Sequence, residues 1–110
     1  MGKQSLAYKH HDFLKLLSSY TKSPKQFKQL VLNASDEEIN GISELVFNIL
    51  EGNLPCNKKK VKSSVKHIRY LGNKNNPIKN RKRLILKKGN GFIFSLVSVA
   101  LPILLKLFSK

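Results

Sequence analysis

The segment from Ser35 to Gly52 constrains the fold more than any other stretch of the chain. Ile39, Ile42, Leu45, Val46, Ile49 and Leu50 recur there at helical spacing and form a wide apolar stripe. Ser35-Asp36-Glu37-Glu38 ahead of them has the form of a capping box, in which the serine hydroxyl and the glutamate three residues on satisfy free amides at the helix start. Acids in that first turn also suit the positive end of the helix dipole. Gly52 ends the stripe with a residue at ease in the left-handed conformation of a C-terminal cap. The result is the strongest predicted helix of the sequence, and its one-sided stripe needs other elements to cover it. Gly41 inside it marks a close approach by a neighbouring helix.

The remaining periodicity supplies those elements. Phe13, Leu16, Leu17 and Tyr20 predict a short amphipathic helix over about residues 11–21. Ser23 is placed to cap a second, with Pro24 in its first turn, Gln26 completing a capping box, and Phe27, Leu30 and Val31 on its apolar face. After a turn at Leu54-Pro55, Val61, Val65, Ile68 and Leu71 predict one helix that runs to Gly72. Asn76-Pro77 opens another, carrying Ile78, Leu84, Ile85 and Leu86 and stopped by Gly89 and Gly91. No alternating strand pattern of useful length and no repeat occurs, so the chain reads as all-α. The expected architecture is a small helical bundle of about five short helices plus a C-terminal hydrophobic helix, within the one domain that 110 residues allow.

Charge divides this chain sharply. All six acids lie in residues 1–51 beside six lysines, while residues 52–110 hold 15 basic residues and no acid, which gives the net charge of +15. Four parts follow: a neutral helical platform (1–53), a basic helical region (54–88), a hinge (89–91) and a hydrophobic tail (92–110). Such asymmetry implies a polyanionic partner, either nucleic acid or an anionic membrane. The candidate phosphate-binding residues are Lys58, Lys59, Lys60, Lys62, Lys66 and Arg69 in the first basic stretch, and Lys79, Arg81, Lys82, Arg83, Lys87 and Lys88 in the second. Binding through them is driven by phosphate neutralisation and independent of sequence. Tyr70, the only aromatic among the clusters, reads as a core residue, and a stacking platform for single strands is not expected. Both clusters also resemble nuclear-import signals.

Catalysis is not expected. The acids fall at helix starts or on exposed faces, and His10, His11 and His67 have no Cys, Asp or Glu at a metal or triad spacing. No glycine motif cradles a phosphate, so neither a metal nor a cofactor is implied. The single Cys56 excludes an intrachain disulfide and fits a reducing setting. No signal peptide is read at the N-terminus, Leu6 spoils a myristoylation motif at Gly2, and the Asn33-Ala34-Ser35 sequon is expected to be unused.

The tail admits two readings. Phe92 to Leu105 runs fourteen residues without a charge before Lys106, short of the roughly 20 residues of a membrane span, and Pro102 is expected to kink it. Phe92, Ile93, Phe94, Leu96, Val97, Leu101, Leu104, Leu105, Leu107 and Phe108 are the candidate membrane-contacting residues of a tail detached at the glycines, the reading favoured here. The other reading is a buried sixth helix.

A helical module ending SELVFNILEGNLP is followed by the basic stretch VKHIRYLGNK, then NRKRLILKKGNGF and the tail LVSVALPILLKLF. This order of parts, covering most of residues 12–108, resembles the small basic proteins of Maverick/Polinton elements and adintoviruses, which are compared with adenoviral core and membrane-lytic minor virion proteins. Lys87-Lys88-Gly89-Asn90-Gly91 stands where the family has a glycine run. The resemblance implies a non-enzymatic, virion-associated protein, located in the virion and in the host nucleus during assembly. Such a protein would condense nucleic acid through its basic half or disturb membranes through its tail. Capsid proteins or further copies of the chain are then potential partners of the tail.

Overall fold

A computed structural model describes residues 5–19 and 23–108, with the side chains of Lys60 and Phe108 outside that description. The described residues are all-α. They form α1 (Leu6–Lys9), α2 (His11–Ser19), α3 (Pro24–Leu32), α4 (Asp36–Leu50), α5 (Lys58–Ser63), α6 (Val65–Leu71), α7 (Ile78–Lys88) and α8 (Asn90–Phe108).

α4 is the helix its sequence demands. The Ser35 hydroxyl accepts from the Glu38 amide, and the Glu38 carboxylate accepts from the Ser35 amide in return. Ile39, Ile42, Leu45 and Val46 are fully buried. Gly52 follows the helix at φ 80°, in the left-handed region. Gly41 is the point at which α1 crosses α4. A Cβ there would lie 3.2 Å from the Leu6 carbonyl oxygen, so glycine permits the close approach.

Three departures from the sequence-based expectation each have a local cause. α1 is additional, a single turn begun by Ser5, whose hydroxyl accepts from the Tyr8 amide. Its start is also held from α4: Glu44 accepts from the Ser5 hydroxyl and from the Ala7 amide at 3.1 Å, and Lys74 lies 3.6 Å away. Burial pushes the Glu44 carboxyl up, but the hydrogen bonds from Ser5 and the Ala7 and Leu6 amides, with Lys74, outweigh it and hold the group below its ordinary value. Glu44 is thus a half-buried tether and not the exposed-face acid it was expected to be. Secondly, the single helix expected over residues 61–71 is broken at Ser64 into α5 and α6. Crowded lysines with no acid to pair at i+4, and two serines at the junction, favour the break. Thirdly, Ser23 does not cap α3 through its side chain, although Pro24 does open that helix. Tyr20, the last member of the first predicted stripe, lies outside the described residues.

α8 decides the shape of the core. It lies along α2 and also meets α7, α4, α1 and α5. Ile93, Leu96, Val97, Ala100, Leu101 and Leu104 are buried in one core with Leu14 and Leu17 of α2, Ile85 of α7 and the α4 stripe. The structure therefore adopts the buried-helix arrangement, and of the residues proposed to contact a membrane, Ile93, Leu96, Val97, Leu101 and Leu104 are core residues. Asn90 and Gly91 belong to the first turn of α8, leaving Gly89 at φ 86° as the link from α7. The helix runs on through the exposed Pro102, whose missing amide loses a bond on the solvent side rather than breaking the rod. It is 19 residues long because Asn90, Gly91 and the Lys106–Phe108 end extend the fourteen-residue uncharged run. Asn90–Leu107 is long and apolar enough to cross a membrane by length and composition, while 33% of that stretch is buried within the protein.

Candidate functional site

The basic residues of the second half do not form one continuous face. α7 turns its stripe of Ile78, Arg81 and Ile85 inward, so Arg81, at 2% exposure, is a core residue. Its guanidinium donates from Nε to the Asn76 carbonyl at 2.9 Å and from its two terminal nitrogens to the Ser43 hydroxyl at 2.6 Å and the Lys74 carbonyl at 3.4 Å. Among the described residues no carboxylate bonds to it. Burial lowers the Arg81 pKa, opposed by the charge of Asp36 and by Tyr70, and arginine nonetheless stays protonated. The assignment of Arg81 to phosphate binding is corrected accordingly: it pins the turn between α6 and α7 onto α4.

Two more of the expected ligands are engaged elsewhere. Lys82 donates to the carbonyls of Leu32 and Ala34, at 3.3 and 2.8 Å, and so places a cation at the C-terminal end of α3. The Lys88 ammonium sits over the Phe92 ring, 5.5 Å from its centroid, where α7 passes into α8. Lys58, Lys59, Lys62, Arg69, Lys79, Arg83 and Lys87 are exposed, as is Lys66, while Lys60 lies outside the described side chains.

α6 and α7, held in place by Arg81, enclose a cleft of about 420 Å³. Lys66, His67 and Tyr70 line it from α6, and Asn80, Arg83, Leu84 and Lys87 from α7. One wall repeats at 66 and 70 and the other at 80, 84 and 87, so each presents successive turns of one helix face. Lys66, Arg83 and Lys87 make no salt bridge among the described residues, whose ion pairs involve Lys9, His10, His11 and Lys74. With no acid after Glu51, these cations meet no carboxylate from their own half of the chain. Tyr70 is 36% exposed, so it is a wall of the cleft and not the core tyrosine it was expected to be.

Sequence reasoning brought Lys66, Arg83 and Lys87 forward but missed His67, Tyr70 and Asn80 as their companions. The signal was present in the helical offsets: Lys66 and Tyr70 share a face, as do Asn80, Arg83, Leu84 and Lys87. Arg69 stands apart from this cleft. It lines a larger concavity of about 840 Å³ at the ends of α4 and α8, together with Phe47, Leu50, Leu54, Leu104 and Leu107.

Among the described residues, histidines pair with acids at α1, α2 and α4. Glu37 takes His10 Nε2 at 3.0 Å and Lys9 Nζ at 3.3 Å, hydrogen bonds that hold its carboxyl below the ordinary value. Among the described residues no three His, Cys, Asp or Glu side chains gather as a metal site. No protein-family description, curated protein or solved structure matches the chain.

Proposed function

We propose that this chain is a non-enzymatic, virion-associated protein of a virus or mobile element that binds and condenses nucleic acid through its basic second half. The carrying observation is the set of unpaired cations Lys66, Arg83 and Lys87 around one cleft, flanked by exposed Lys58, Lys59, Lys62 and Lys79 in a half that has no acid. A surface of this kind releases counterions when phosphates dock on it. The order of parts shared with the Polinton and adintovirus proteins supports a place in the virion, and the two basic clusters support passage through the nucleus during assembly.

Salt dependence tests this reading. If the three cleft cations alone engage phosphates, the affinity for duplex DNA falls with a logarithmic slope of about −2.7, or about 40-fold between 50 and 200 mM salt. Flanking lysines steepen it. A flat dependence in a salt titration would remove nucleic acid as the partner.

A second reading, a membrane-active protein working through α8, is favoured by one observation. Val99, Ile103 and Leu107, spaced four residues apart, form an apolar stripe of α8 that stays 38–66% exposed, and Phe94 is exposed on the other side of the helix. An exposed apolar face beside a strongly basic surface suits an anionic bilayer, where each nearby cation adds about 1 kcal/mol. The same face offers a contact for capsid proteins or a second copy. Ile103→Ser with Leu107→Ser is expected to abolish dye leakage from anionic liposomes while leaving the fold intact. Undiminished leakage by that variant would exclude the outer face of α8 as the membrane contact.

A further inference from the structure

The cleft between α6 and α7 is shaped for more than phosphates. Phosphate binding alone requires cations on an open surface, and Lys58, Lys59, Lys62 and Lys79 already provide that. The cleft adds an aromatic ring, a short apolar wall and a carboxamide: Tyr70, Leu84 and Asn80, among Lys66, Arg83 and Lys87. Tyr70 sits at the end of α6 between the buried Ile68 and Leu71, and its carbonyl accepts from the Asn76 side-chain amide at 2.8 Å. Arg81 bonds the carbonyls of the turn that follows, at Lys74 and Asn76, so the platform carrying the ring is fixed against α7. An aromatic side chain on a fixed stretch of backbone, sharing a cleft with cations, is the combination by which single strands are held, bases on the aromatic and backbone on the charges. Asn80 supplies both a donor and an acceptor to a base edge.

We propose that this cleft receives an unpaired nucleotide of a single-stranded nucleic acid, with the base stacked on Tyr70 and the adjoining phosphates on Lys66, Arg83 and Lys87. The proposal rests on the reading of the basic half as a nucleic-acid binder and narrows it. A duplex keeps its bases inside the stack and meets only the cations at the rim, whereas a single strand brings a π-face to the ring.

The test compares an oligothymidine of twenty nucleotides, the matching oligouridine and a twenty-base-pair DNA duplex, each titrated at one fixed salt concentration against the full chain, Tyr70→Leu and Tyr70→Phe. Tyr70→Leu is expected to weaken single-strand binding roughly 5- to 150-fold, the effect of losing one stacked base, with duplex affinity unchanged. Tyr70→Phe keeps the ring and is expected to restore single-strand affinity. Equal losses for oligothymidine and oligouridine support stacking that ignores the sugar, and a loss confined to one of them supports the cleft while identifying its natural strand. A Tyr70→Leu variant that binds all three ligands as the parent does, or that weakens duplex and single strand alike, overturns the proposal and leaves phosphate-driven binding standing. Failure of the parent chain to bind any of the three overturns both.

Discussion

Replacing Leu96 by alanine is expected to destabilise the fold by about 2–5 kcal/mol, the range for deleting a buried leucine side chain. Leu96 is 1% exposed and sits in the shared core of α8, α2, α4 and α7. Small domains have total stabilities of only about 5–15 kcal/mol, so this substitution alone would move the urea midpoint by a large fraction. Val99→Ser, on the 40% exposed side of the same helix, is expected to change stability by less than about 0.5 kcal/mol. Equilibrium urea unfolding followed by helical circular dichroism reads both. A tail that is free in solution would give two small and equal effects instead. The same core membership makes a deletion of residues 91–110 a poor probe of membrane action, because it removes Ile93, Leu96, Val97 and Leu101 from the core. Substitutions on the outer face separate lipid contact from folding.

Legibility in the sequence followed the strength of local signals. α4 carries a capping box, a broad stripe and a terminal glycine that all agree, and the structure reproduces each of them. Gly41 was informative because a glycine within a strong helix has little use except to admit a neighbour. α8 was harder, since its polar side is marked only weakly, by Ser95, Ser98 and Lys106 opposite the buried stripe. Its inner residues are 93, 96, 97, 100, 101 and 104, an ordinary helical stripe, but 94, 99, 103 and 107 are equally apolar. That weak mark does not say whether α2 and α7 are available to cover the other side, which is a tertiary fact. The one-turn α1 escaped for a related reason, while the split at Ser64 has the local cause given above. The start of α1 depends on contacts made far along the chain, Glu44 bonding Ser5 and Ala7.

The basic run Lys79 to Arg83 shows the limit most clearly, and it yields the second large effect. Charge composition treats its cations as equivalent, whereas helical phase assigns them different work. Arg81 falls at i+3 from Ile78 and four residues before Ile85, on the inward face, and Arg83 falls in the cleft. Arg81→Met keeps the volume but leaves the Ser43 hydroxyl and the Lys74 and Asn76 carbonyls without their donor. The Ser43 hydroxyl is buried and the two carbonyls part-buried; an unsatisfied buried group costs about 1–3 kcal/mol, offset in part by relief from burying a charge, so a loss of about 1–3 kcal/mol is expected. Adding Ser43→Ala should recover part of it, because the orphaned hydroxyl is then gone and the two sites are directly coupled. Arg83→Gln is expected to do the reverse: stability within about 0.5 kcal/mol of the parent, and a salt slope for nucleic-acid binding shallower by about 0.9. Chemical denaturation of the four proteins, paired with salt titrations for Arg81→Met and Arg83→Gln, separates the roles. If Arg81→Met kept its urea midpoint and lost a unit of salt slope, Arg81 would be a phosphate ligand after all, and the anchoring of the α6–α7 turn would have to come from elsewhere.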